Sequence, residues 1–101
     1  VIDLAGADHE ALVRACRQCG VARLRVFGSA VTSEFDPETS DIDFLVDFAA
    51  DAPKGIAPFL ALQEELRRIF GRNVDLVEAN AVRNPFFARR AFGEAVDVYA
   101  A

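Results

Sequence analysis

The segment Ser40-Asp41-Ile42-Asp43-Phe44-Leu45-Val46 constrains this chain more than any other. From Asp41 to Phe48, apolar Ile42, Phe44, Val46 and Phe48 alternate with Asp41, Asp43, Leu45 and Asp47, the period of a strand with one face buried. Residues i and i+2 of a strand project to the same side, so Asp41 and Asp43 point together. Adjacent carboxylates repel, and without a cation the pair is costly. A divalent ion removes the conflict. Mg²⁺ prefers a few carboxylates, waters and substrate phosphate oxygens. Carboxylates sharing two ions roughly 3.5–4 Å apart are what phosphoryl or nucleotidyl transfer requires.

The rest of the chain supplies elements to surround that strand. A helix is predicted from about Asp8, a plausible N-cap, to Cys19, with Leu12, Val13 and Cys16 as its apolar stripe and Gly20 as its stop. Val21 to Phe27 reads as a strand ending at Gly28-Ser29, and Asp36-Pro37 marks a turn in the segment that follows. A Pro/Gly/Asp-rich link from Asp51 to Gly55 precedes a helix from about Ala57 to Phe70, with Phe59, Leu62, Leu66, Ile69 and Phe70 inward. Val74 to Val77 is a third strand, Asn84-Pro85 opens a helix to about Phe92, and Val96 to Tyr99 is a closing strand. The predicted fold is α+β (mixed α/β), in the order α-β-β-α-β-α-β. It forms one domain over residues 1–101, a small mixed sheet flanked by helices.

Two further features join the acidic pair. Asp75 alternates with Val74 and Leu76, so it faces away from the core those two enter. If its strand lies beside the Asp41–Phe48 strand, Asp75 completes a set of three and can bind the metal that activates an attacking hydroxyl, or accept its proton. Otherwise it is a solvated strand-end charge. Gly28-Ser29 follows a strand, where backbone N–H groups can turn toward an anion. Gly28 permits close approach, and the Ser29 hydroxyl can donate to a phosphate oxygen.

Composition bounds the function. Apolar residues make up 52% of 101 positions, with nine Phe, which excludes disorder. No apolar run approaches the ~18 residues of a membrane span, and the start lacks a signal-peptide pattern, so the cytoplasm is the expected compartment. The net charge of −5, from 16 acidic and 11 basic residues, lacks the basic footprint of a nucleic-acid binder. Cys16 and Cys19 are spaced C-x-x-C, but a zinc site needs two more ligands and His9 is the sole His. They read as a core residue and a terminal-turn residue of a reduced protein. His9 and Arg89-Arg90 read as solvated helix positions, and Asp47 as a strand-end charge and not a fourth ligand. At least two of Phe86, Phe87 and Phe92 are expected in the core.

Phe27-Gly28-Ser29 and, after its spacer, Ser40-Asp41-Ile42-Asp43-Phe44-Leu45-Val46 together resemble the signature of the DNA polymerase β-like nucleotidyltransferase superfamily. The compact form is similar to its minimal nucleotidyltransferase (MNT) branch. Cys19-Gly20-Val21, Val74-Asp75-Leu76-Val77, Asn84-Pro85-Phe86-Phe87 and Val98-Tyr99-Ala100 extend the likeness over nearly the whole chain. The resemblance implies Gly28, Ser29 and Ser40 on the nucleotide, with Asp41, Asp43 and Asp75 as catalytic and metal-binding carboxylates for two Mg²⁺ ions. The chain departs from the pattern at Thr32-Ser33, where members commonly carry Arg-Gly.

Stand-alone MNT proteins often pair with a helical HEPN ribonuclease toxin, and some transfer AMP from ATP to a tyrosine of that toxin. The resemblance therefore implies an antitoxin that is a protein adenylyltransferase, using ATP and assembling with its target as a homo- or hetero-oligomer. Two alternatives stay open. One is a binding antitoxin of the same fold that neutralises by complex formation. The other is a nucleotidyltransferase acting on a small molecule.

Overall fold

In the computed structural model, residues 7–28, 41–52 and 55–101 are described. The predicted elements all form. Helix α1 (Ala7–Gln18) leads to β1 (Val21–Phe27) and β2 (Ile42–Phe48), then α2 (Ala57–Phe70), β3 (Val74–Glu78), α3 (Pro85–Glu94) and β4 (Val96–Ala100). Helix α1 begins at Ala7, which puts Asp8 inside the helix and not at its cap. A 3₁₀ turn over Ala79–Ala81, which periodicity does not signal, carries the chain out of β3. Ser29, Thr32, Ser33, the Asp36-Pro37 turn and Ser40 lie outside the described residues.

Chain punctuation explains the helix limits. Gly71 takes φ 66°, the left-handed conformation that ends α2, and its N–H donates to the Arg67 carbonyl at 2.8 Å. At α3 the Asn84 side-chain oxygen accepts from the N–H groups of Phe86 and Phe87, at 2.9 and 3.2 Å. Pro85 takes the first turn, where a missing N–H is harmless.

The four strands lie in the order β3-β2-β1-β4. β1 is antiparallel to both β2 and β4, while β2 and β3 run parallel, joined by the α2 crossover. One sheet face supplies Leu24, Val26, Ile42, Phe44, Val46, Val74 and Leu76. They close on Leu12 and Cys16 of α1 and Leu62 and Leu66 of α2. Phe59 and Phe70 pack at its margin, and Cys19 is buried in it as well as Cys16. Both thiols are free, and burial raises Cys16 to about 12, so neither is poised as a thiolate nucleophile.

The second face has a smaller core. Phe27, Leu45, Ala79 and Ala91 bury one another there, with Val77 and Ala95 partly covered. Leu45 is the apolar residue in the Asp41-Asp43-Leu45-Asp47 row, and Ala91 of α3 explains it: α3 is seated on the carboxylate face of the sheet. That face is therefore divided between packing and charge.

Candidate active site

Strand register assembles the site. Phe27 of β1 pairs with Asp43 of β2, and Asp43 pairs with Asp75 of β3, so three neighbouring strands contribute at one level. The parallel pairing that brings Asp75 beside Asp43 is the arrangement on which its membership depended. Asp41 precedes β2, is exposed, and adds its charge from the strand's start.

Asp43 is the perturbed member. Its carboxyl is pushed up to about 6, first by burial, then by the charge of Asp75, a hydrogen bond to Asp75 and the charge of Asp41. With no cation present, burial and the crowding of neighbouring carboxylates disfavour the charged form of Asp43. Among the described residues no group of three or more His, Cys, Asp or Glu is gathered tightly enough to hold a metal ion as it stands. The donor chemistry nevertheless fits a hard divalent ion, because Asp43 and Asp75 offer oxygen ligands whose mutual repulsion such an ion relieves.

Gly28 closes the site from the end of β1. Its φ of 73° lies in the left-handed region, and a Cβ built there would stand 2.6 Å from Asp43 Oδ2. The glycine thus lets the backbone pass close to the Asp43 carboxylate, a requirement beyond the turn that its position suggests.

Gly28, Asp43 and Asp75 open onto a cavity of about 580 Å³ whose other wall is α3, through Phe87, Arg90 and Glu94. That volume lies in the range of small-molecule sites. The Phe87 ring meets Phe27 edge-on at 5.8 Å between centroids, fixing the helix against the strand. Arg90, read from the sequence as a solvated helix position, lines the cavity, and so do Phe87 and Glu94, which the sequence does not single out for the site. The Asn84-Pro85 cap reveals the helix, but nothing local reveals which sheet face receives it.

The phenylalanines of α3 correct an expectation. Phe86, Phe87 and Phe92 are 81%, 39% and 39% exposed, so none is fully in the core. The inward residue of α3 is the small Ala91, which joins the cluster of Phe27, Leu45 and Ala79 and leaves the larger rings more exposed. Phe92 instead covers the Arg25 guanidinium, 5.2 Å from its centroid. Asp47 pairs with Arg25 at 3.3 Å, a structural role remote from metal binding. His9 and Arg89 are exposed, as expected of solvated helix positions.

A family model described as a nucleotidyltransferase domain matches residues 9–98. The chain belongs to that family. This nucleotidyltransferase is 39% identical over 79 residues to a Methanocaldococcus jannaschii protein assigned by name as a protein adenylyltransferase. The match covers 78% of this chain and 81% of that relative. A solved structure assigned as a minimal nucleotidyltransferase superposes with a TM-score of 0.72 at 31% identity, covering 89% of this chain and 88% of the other. A third likeness is to a chain in the complex of the tri-AMPylated Shewanella oneidensis HEPN toxin with its MNT antitoxin. Its TM-score is 0.62 at 19% identity, covering 93% of this chain and 71% of the other, a likeness of fold. The mixed α+β sheet expected from the sequence is thus the minimal nucleotidyltransferase fold, and the chain is an enzyme of nucleotidyltransferase type. No helix among the described residues is long and apolar enough to cross a membrane.

Proposed function

We propose that this nucleotidyltransferase transfers AMP from ATP to a hydroxyl of a partner protein, a tyrosine of a HEPN-type toxin, and thereby acts as its antitoxin in the cytoplasm. The observation that carries the reading is the in-register Asp43–Asp75 pair with Gly28 pressed against it at the mouth of a nucleotide-sized cavity. The partner class is supported by the fold shared with a chain of the AMPylated HEPN toxin complex.

In this reading the tyrosine oxygen forms a bond to the α-phosphorus as the bond to the departing pyrophosphate breaks. Asp41, Asp43 and Asp75 would hold Mg²⁺, which supplies charge neutralisation and a more acidic hydroxyl. Asp75, exposed beside Asp43, is the carboxylate placed to receive the hydroxyl proton. Gly28, with Ser29 and Ser40, orients the triphosphate, and catalysis rests on positioning and electrostatics without a covalent protein nucleophile.

The test is transfer itself. Labelled ATP, Mg²⁺ and the HEPN-type product of the neighbouring gene should yield a labelled toxin, and the D41A/D43A double variant should yield none. Absence of label with a verified, toxic partner would remove the catalytic reading. The exposed Phe86 favours one alternative, neutralisation by binding. Protection of cells by the double variant would establish it.

A further inference from the structure

A triphosphate is a polyanion, and the cavity that would receive it is walled by carboxylates: Asp43, Asp75 and Glu94. The chain segment that follows β1 and leads to β2 brings no compensation, because no Lys or Arg occurs anywhere between Arg25 and Lys54. Arg25 is committed to Asp47 and to the Phe92 ring. Among the described residues lining the cavity, Arg90 is the one cation. We infer that Arg90 binds the phosphate chain of the nucleotide, opposite the aspartates, and neutralises the pyrophosphate as it departs.

The placement of Arg90 is enforced by its helix. Phe87, one turn earlier, is pinned edge-on to Phe27, and Ala91, the next residue, is fully buried against the sheet. Those two contacts fix the rotation of α3 and hold Arg90 at the cavity wall. Its side chain is 77% exposed and its Nε lies 3.8 Å from Glu94 Oε1, too long for a hydrogen bond. Such a loose exposed pair is cheaply released. A guanidinium offers a planar fork of donors matched to phosphate oxygens, which a lysine does not reproduce. Glu94 then serves as a resting partner that keeps the arginine near the site while no anion is bound.

This inference rests on the nucleotide reading above but not on the identity of the acceptor. The test is calorimetric titration of the full chain with ATP and with AMP, each with Mg²⁺, for wild type and for R90A, R90K, E94Q and R89A. R90A should weaken ATP by about tenfold or more while AMP changes by less than about twofold. R90K should fall between, E94Q should tighten ATP, and R89A should match wild type. Equal ATP affinity in R90A and wild type overturns the inference, as does an equal loss of ATP and AMP, or a wild type that binds no ATP. If the Arg90 pattern holds but the toxin is never labelled, the acceptor reading fails alone. If the toxin is labelled with the same KM for ATP in R90A, the inference fails alone.

Discussion

Gly28 and Asp43 stand so close that a single added carbon on the glycine would meet the carboxylate oxygen at 2.6 Å. The backbone there also takes a left-handed φ of 73°, which costs an L-residue about 1–2 kcal/mol. Gly28→Ala should therefore lose about that much stability in denaturant unfolding. The clash falls on the free end of a side chain, so Asp43 can swing aside with little further loss. On the proposed function turnover is less forgiving: AMP transfer should drop by about tenfold or more, because the carboxylate proposed to hold metal would have moved. Unchanged transfer would show that Asp43 need not occupy this position.

The Asp43 carboxyl makes metal-free stability depend on pH with an unusual sign. Its value rises from 3.8 to about 6 on folding, chiefly through burial and next through Asp75. Between those values the folded chain keeps a proton that the unfolded chain has released, so this group's contribution falls as pH increases. With chelator present, the unfolding midpoint of wild type should fall relative to that of Asp43→Asn between about pH 4 and pH 7, and Mg²⁺ at pH 7 should restore it. Parallel pH profiles for the two proteins would contradict the assignment.

Removing one acid from the pair should separate stability from activity. Asp75→Asn deletes the like charge facing Asp43, so metal-free protein at pH 7 should unfold at a higher temperature than wild type. The Asp43 titration, followed by carboxyl NMR, should move down toward the ordinary carboxylate range. Transfer should be abolished in the same variant. A less stable Asp75→Asn protein would mean that the pair does not repel in the folded state.

Arg25 gives a third kind of test, on the seating of α3. Its side chain lies between the Phe92 ring and Asp47, and its Nε is buried without a hydrogen-bond partner. The stem packs well while the charged head is imperfectly satisfied. Arg25→Ala should cost about 1–3 kcal/mol, whereas Arg25→Met should stay within about 1 kcal/mol of wild type, measured by denaturant unfolding. Equal losses in both would assign the stabilisation to charge and not to packing.

Much of this architecture is legible from local chemistry. Alternation marks β2, glycine ends α2, and Asn84-Pro85 starts α3, each because a short-range steric or hydrogen-bonding rule decides the outcome. The seat of α3 is not local. It depends on Ala91 reaching the cluster of Phe27, Leu45 and Ala79 across the chain, and Ala91 looks unremarkable beside three phenylalanines. The crowded rings suggest the core, yet it is a small residue of the helix, Ala91, that is buried against the sheet. For the same reason nothing local separates Arg90, at the cavity, from a solvated helix position, while Asp43 stands out from its spacing alone. Asp75 was legible only on the condition that β3 neighbours β2 in register, a fact of topology.

The parallel pairing of β2 with β3 has a consequence for how the enzyme comes into being. A hairpin closes early in folding, but parallel neighbours meet only after the intervening α2 crossover has wound and docked. Asp43 and Asp75 are strangers until that moment. A nascent chain therefore emerges with its two carboxylates apart, and on the proposed function Mg²⁺ binding at the finished pair would select chains that have completed the crossover. Ion affinity would then read out correct assembly, because a partly folded copy has not yet brought Asp75 beside Asp43.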